Sequence, residues 1–144
     1  MSIKQISVFL ENKPGKLNEM TSLLSAHGIN MRALYLSETK DFGIARIIVD
    51  NVLEATNVLR DANFIANLTS VTAFEISNEP GSLNDLLATL TELGLNIEYT
   101  YSVLGSKKPN TAYIIFRIVH HRDAEEALKA KGLRPLTQED IANI

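Results

Sequence analysis

Residues 12–30 read N-K-P-G-K-L-N-E-M-T-S-L-L-S-A-H-G-I-N, and residues 78–96 read N-E-P-G-S-L-N-D-L-L-A-T-L-T-E-L-G-L-N. Pro14 pairs with Pro80 and Gly28 with Gly94, both at a spacing of 66 (80 − 14 and 94 − 28), so no insertion separates the two landmarks. A stretch that returns at fixed spacing marks a duplicated structural unit, and the 144 residues divide into two halves, 1–69 and 70–144. Each half is near the size at which a hydrophobic core alone is marginal, so the halves are expected to share a sheet or an interface.

Outward from the first copy, Ile6, Val8 and Leu10 alternate with Ser7 and Phe9, the period of a strand with one face on a core. It ends at Glu11-Asn12, and Lys13-Pro14-Gly15 turns the chain. Leu17, Met20, Leu23, Leu24 and His27 recur at helical spacing, with Pro14 near the first helical position and Gly28 as a left-handed stop. Ile29, Met31, Ala33 and Tyr35 alternate as a second strand. Lys40-Asp41 with Gly43 then turns into a third, Ile44 to Val49, giving an antiparallel hairpin. Asp50-Asn51 offers caps for a helix carrying Ala55, Val58, Leu59 and Ala62, which Asn63 ends. Phe64 to Leu68 is a fourth strand; Thr69-Ser70 is the boundary, and Val71 to Ile76 begins the order again. The fold class is α+β: two ferredoxin-like βαββαβ domains, each with two helices on one face of a four-stranded antiparallel sheet, expected to pair their sheets.

In the second copy Ala45 matches Ala112 at a spacing of 67 (112 − 45), which adds one residue to the hairpin loop around 105–110. Ala55 matches Ala124 at 69 (124 − 55), which adds two more before the second helix. Leu83, Leu86, Leu87, Leu90 and Leu93 line its first helix, Ala124, Ala127 and Leu128 its second, and Gly132 closes that helix. Thr137 to Ile144 form a tail in which Thr137, with Asp140 three residues on, opens one helical turn.

Composition removes several functions. The net charge is −3 and the pI near 5.6, with Lys107-Lys108 the densest basic cluster, so nucleic-acid binding by phosphate neutralisation is disfavoured. An RNA platform on the sheet needs aromatic and basic residues together, and the second copy offers only Tyr99 and Tyr101, which read as core or interface aromatics. The absence of cysteine excludes disulfides, a thiol nucleophile and thiolate zinc sites. The apolar run after Met1-Ser2-Ile3-Lys4-Gln5 stops at Glu11, too short for a signal peptide, and no run reaches membrane-span length. A cytoplasmic protein without membrane attachment is expected. His120-His121 on an extended segment point to opposite faces and make a poor metal site. His27 suits a helix end, and Glu125-Glu126 and Glu139-Asp140 read as exposed helix charges. No catalytic residue, metal or cofactor is expected.

A strand ending in E-N-K-P-G-K-L, a helix, and H-G-I-N-M leading a second strand, within a βαββαβ order, resemble the ACT domain, and both copies fit. The N-x-P-G-x-L element with G-[IL]-N at fixed distance is fairly specific, and the likeness covers nearly the whole chain. The first copy is most similar to the serine-binding regulatory domain of bacterial phosphoglycerate dehydrogenase. The resemblance implies sensing of a free amino acid at an interface between two ACT domains, with no chemistry by the domain itself. It implies a homo-oligomer, a dimer, acting on an enzyme or regulator of amino-acid metabolism. The alternative is an oligomeric scaffold that has lost its ligand.

Carried over by position, the resemblance puts ligand contacts on Asn12, Pro14, Gly15, Lys16, Leu17, Asn30 and Met31, and in the second copy on Asn78, Pro80, Gly81, Ser82, Leu83, Asn96 and Ile97. Serine-binding relatives carry a histidine two residues before the loop asparagine, where this chain has Leu10 and Ile76. That departure points to a ligand other than serine. Physical chemistry supports such a site: amides after Pro-Gly at a helix start suit a carboxylate, glycine permits close approach, and asparagine offers both a carbonyl and an amide to a zwitterion. Three or four hydrogen bonds to charged groups, less ordering costs, suggest roughly 4 to 8 kcal/mol, or millimolar to micromolar affinity.

Overall fold

The strand read from Ile6, Val8 and Leu10 is β1, Ile3–Glu11, in the computed structural model, which describes residues 3–38, 40–119 and 121–144. It is followed by α1 (Lys16–Ala26), β2 (Met31–Glu38), β3 (Phe42–Val49), α2 (Val52–Asp61) and β4 (Ile65–Ser77), then α3 (Ser82–Glu92), β5 (Ile97–Ser102), β6 (Thr111–Ile118), α4 (His121–Ala130) and α5 (Gln138–Ala142). The chain forms two compact units, Lys4–Thr69 and Ser70–Ile144, and Ile3 belongs with the second.

In the first unit the strand order is β2-β3-β1-β4, with β1 and β2 both antiparallel to β3. The alternation of β1 puts Ile6, Val8 and Leu10 on one face, where Ala45, Ile47 and Val49 join them against Met20 and Leu24 of α1 and Ala55 and Leu59 of α2. Burying one such leucine contributes about 1.5–3 kcal/mol. Asn51 caps α2 by accepting from the Glu54 amide at 3.1 Å, and Asn63 ends it at φ 68°. Gly28, at φ 65°, ends α1: its amide donates to the Ser25 carbonyl and that of Ile29 to the Leu24 carbonyl, both at 3.0 Å. Pro14 precedes the N-cap Gly15, so it belongs to the turn and not to the first helical position.

The second unit repeats this plan. Strand order is β4-β6-β5, and Phe74, Phe116 and Ile118 pack on Leu86 and Leu90 of α3 and Ala124 and Leu128 of α4. Four details differ from the sequence reading. Residues 65–77 form one strand with no break at Thr69-Ser70, since the segment holds neither glycine nor proline and is rich in β-branched residues. Leu83 is 42% exposed and lines no core. Among the described residues no strand follows α4; Leu133 to Leu136 run beside β4 with one ladder-like bond, Leu136 N–H to the Ala73 carbonyl at 2.8 Å, before α5 begins. Thr137 and Asp140 form the expected capping box on α5, so Asp140 is a half-buried cap and not an exposed helix charge.

The register also corrects the alignment of the copies. Glu11 faces Phe42 and Ser77 faces Thr111, a spacing of 69 between the third strands (111 − 42), equal to that of Ala55 and Ala124. Ala45 therefore corresponds to Ile114 and not to Ala112, and all three added residues lie in the β5–β6 loop. An alanine-to-alanine match misled the alignment because both strands carry apolar residues at consecutive positions.

Candidate functional site

The Pro-Gly turns place glycine in the left-handed region at both helix starts: Gly15 has φ 84°, ψ −9° and Gly81 has φ 93°, ψ −17°. A Cβ at either would meet nothing within 4 Å, so both approaches are open. Neither helix has a side-chain cap, so the amides of Leu17 and Asn18 in α1, and of Leu83 and Asn84 in α3, stand in a first turn without intrahelical acceptors. Pro14, Gly15, Pro80 and Gly81 are exposed, Lys16, Leu17 and Ser82 half-buried.

Asn12 is fixed by its backbone amide, which donates to the Asp41 carbonyl at 3.0 Å, and by its side-chain amide, which donates to Glu38 at 3.2 Å. Its carbonyl Oδ1 is thereby the group left to accept. Around it Lys13 reaches Glu11 at 2.9 Å and Lys16 reaches Glu19 at 3.3 Å. The hydrogen bond from Lys13, followed by the charges of Lys13 and Lys16, holds the Glu11 carboxyl below the usual range, and Glu11 raises Lys13 in turn.

Asn30 lies elsewhere. Its carbonyl accepts from the Asp50 amide at 3.2 Å, past the far end of β3, whereas Asn12 meets Asp41, before the near end. The span from Phe42 to Val49 separates them by roughly 23 Å at the usual strand rise. Met31, beside Asn30, is half-buried against the core. The second unit repeats the arrangement: the Asn78 amide donates to Asn110 at 2.8 Å and Val119 to the Asn96 carbonyl at 3.1 Å, with Ile97 against the core. Within each unit the structure brings Asn12 to the Pro14–Leu17 turn and Asn78 to the Pro80–Leu83 turn, and it keeps Asn30 and Asn96 apart from them.

Other residues singled out by sequence are placed plainly. His27 is exposed, with Nδ1 3.0 Å from the Leu23 carbonyl, which suits a helix end. Tyr99 and Tyr101 stack at 6.4 Å between ring centroids. Glu126 is exposed and Glu125 half-buried. His120 and the side chain of His121 lie outside the described residues. Among the described residues no group of carboxylates and histidines could hold a metal, and no helix is long and apolar enough to cross a membrane.

Sequence reasoning missed a cleft of about 740 Å³ in the second unit, between the end of β4, the first turns of α3 and the chain from Gly132 to Ile144. Ser77 and Ser82 share a 2.6 Å hydroxyl hydrogen bond on its wall. The corresponding place in the first unit, around Phe9, Lys16, Glu19 and Phe64, is a hollow of about 320 Å³. Ser82, Asp85, Leu86 and Thr89 of the cleft stand in the repeated stretch, but only Ser82 was among the expected ligand contacts, and spacing carried no signal for the residues from Gly132 onward.

A Bacteroides thetaiotaomicron protein of solved crystal structure matches this fold with a TM-score of 0.90 at 38% identity, over 100% of this chain and 98% of that one. The ligand-free regulatory subunit of aspartate kinase from Thermus thermophilus matches with a TM-score of 0.65 at 17% identity, over 92% of each chain. The corresponding subunit from Thermus flavus gives 0.61 at 17%, over 90% of each. At these identities the Thermus likenesses show the fold alone. No curated protein matches the chain. The family model described as an ACT domain pair matches residues 1–144.

Proposed function

The chain belongs to the ACT domain pair family, and from that premise we propose that it is a regulatory module which binds a free amino acid and signals to a partner protein, with no catalysis of its own. The observation that carries this reading is the pair of uncapped helix starts, each with an asparagine beside it. Leu17 and Asn18 amides offer donors to a carboxylate, and the oriented Oδ1 of Asn12 offers an acceptor to an ammonium. In the second unit Asn78 and the amides of Leu83 and Asn84 hold the corresponding places. Because Asn30 stands roughly 23 Å from Asn12 at strand rise, one ligand touches both only if Asn30 comes from another copy of the chain. On this reading the protein is a homo-oligomer, a dimer, that holds the ligand between copies, an arrangement with which that separation is compatible. Leu10 and Ile76, where serine-binding relatives carry histidine, favour an amino acid other than serine. The reading further places the protein in the cytoplasm, with an enzyme or regulator of amino-acid metabolism as its partner.

A thermal-shift screen of the twenty amino acids tests it. A ligand at 100 times its dissociation constant adds about 2.7 kcal/mol of stability, and sedimentation in the presence of the hit should show the oligomer favoured. No shift with any amino acid at tens of millimolar sinks the proposal and leaves the scaffold reading.

A further inference from the structure

The two units carry corresponding clefts with opposite chemistry. In the first, Lys16 in the opening turn of α1 sits 3.3 Å from Glu19 and Glu11 is paired with Lys13 at 2.9 Å, so these charges are compensated, and Phe9, Phe42, Phe64 and Ile65 make most of the remaining wall apolar. In the second, Ser82 occupies the place of Lys16 and turns its hydroxyl to Ser77 at 2.6 Å. Asp85, in the place of Glu19, therefore faces the cleft with no hydrogen bond or ion pair to its carboxylate among the described residues. Arg134 takes the place of Ile65 (134 − 65 is again 69) and stands at the rim of the same cleft, its side chain 81% exposed and its guanidinium 3.7 Å from Asp140.

The edge of β4 adds main-chain groups. The Ala73 carbonyl accepts from Leu136 on the side away from β6, and strand alternation aims the N–H and C=O of Glu75 and Ser77 the same way. Both residues line the cleft, and α5 begins before the adjoining segment reaches them. The cleft thus holds an uncompensated carboxylate, a loosely held guanidinium, two hydroxyls and open edge groups in about 740 Å³, a volume in the ordinary range of small-ligand pockets.

We propose that this cleft of the second unit is a binding site for a zwitterionic α-amino acid, with Asp85 receiving the ammonium and Arg134 the carboxylate, and that the first unit has no such site. The site is built from one unit alone, and it rests on the reading of the protein as an amino-acid sensor only for the class of its ligand. It is separate from the asparagines: Asn78 and Asn96 are not among the cleft residues.

The test is isothermal titration of the full chain with each of the twenty amino acids, repeated on Asp85→Asn, Arg134→Gln, Ser82→Lys and the pair Asn12→Ala/Asn78→Ala. Ser82→Lys installs on Asp85 the partner that Lys16 gives Glu19. The expected result is an affinity lowered about ten- to a hundredfold by each of the first three, the size of a lost hydrogen bond to a charged group. Circular dichroism keeps misfolded variants from counting, and Glu19→Gln serves as the matched change in the first unit, expected to be silent. Binding that survives the three cleft variants but fails with the asparagine pair overturns this inference and leaves the sensor proposal standing; absence of binding in the unaltered chain overturns both.

Discussion

The side-chain amide of Asn12 donates to Glu38 at 3.2 Å, tying the loop after β1 to the last residue of β2. The bond spends the nitrogen of Asn12 and leaves its carbonyl facing outward. If Oδ1 is the ligand acceptor, Asn12→Ala removes one hydrogen bond to a charged group and lowers affinity about ten- to a hundredfold. Glu38→Ala only lets the amide rotate and should weaken binding several times less than Asn12→Ala. Titration of both variants decides: equal losses would mean that Glu38, and not the asparagine carbonyl, meets the ligand.

Gly15 and Gly81 stand at φ 84° and 93° with empty space where a Cβ would be, so substitution there is a backbone experiment free of steric clash. Alanine in the left-handed region costs about 1–2 kcal/mol. Gly15→Ala and Gly81→Ala should each lower urea stability by that amount, and asparagine at the same positions by less. Gly105→Ala, also in open space but without a positive φ, should be near neutral.

Asp140 accepts from the Thr137 backbone amide at 2.8 Å while Thr137 Oγ1 accepts from the Asp140 amide at 3.1 Å. The backbone hydrogen bond from Thr137, which outweighs the opposing effect of burial and is joined by smaller contributions from the Thr137 hydroxyl and the Arg134 charge, holds the Asp140 carboxyl below its usual range. A carboxyl depressed in the folded state contributes stability above its unfolded pKa and loses it as pH falls through the folded value. Amide exchange in α5 should therefore accelerate as pH falls below about 3.8, after correction for intrinsic rates. Asp140→Asn should remove that extra dependence, and Thr137→Ala should weaken α5 by about 1 kcal/mol. A pH profile shared by Asp140→Asn and the unaltered chain would refute the assignment.

The duplicated plan was legible because its signals are local: alternation in β1, leucine spacing in α1 and α3, and glycine stops at Gly28 and Gly94 all come from neighbouring residues. The βαββαβ order of the first unit, the capping box on α5 and the Asn51 cap were readable on the same grounds, whereas the last strand expected of the second unit is not formed among the described residues. What escaped was register and assembly. Ala45 and Ala112 looked equivalent, yet hydrogen-bond register pairs strands by loop geometry and puts Ile114 opposite that choice. The cleft joins Ser77 and Asp85 to Arg134, some fifty residues away, and only the return of the chain beside β4 brings them together. Nor could a motif show that Asn12 and Asn30 stand at opposite ends of β3, although a helix between them forces the chain to cross the sheet.

Arg32 Nε donates to Asp50 Oδ1 at 2.6 Å and Nη2 to Oδ2 at 3.0 Å, a two-pronged contact that also receives the Asn30 amide at 3.5 Å. Among the described residues the second unit has no equal: Val119 holds the place of Asp50 (119 − 50 is 69), and Arg117 meets Glu98 only at 3.6 Å. With side-chain exposures of 21% and 33%, the pair is shielded enough to outweigh an open surface bridge, yet wet enough to feel salt. A double-mutant cycle with Arg32→Met and Asp50→Ala should give a coupling energy of about 1 kcal/mol at low ionic strength. The cycle is needed because Arg32 makes further contacts that a single substitution would also remove. Raising salt to 1 M should shrink the coupling, and the corresponding cycle on Arg117 and Glu98 should give less than half of it. Equal couplings in the two units would mean that the fork geometry adds nothing, and that the asymmetry at Asn30 and Asn96 has no energetic weight.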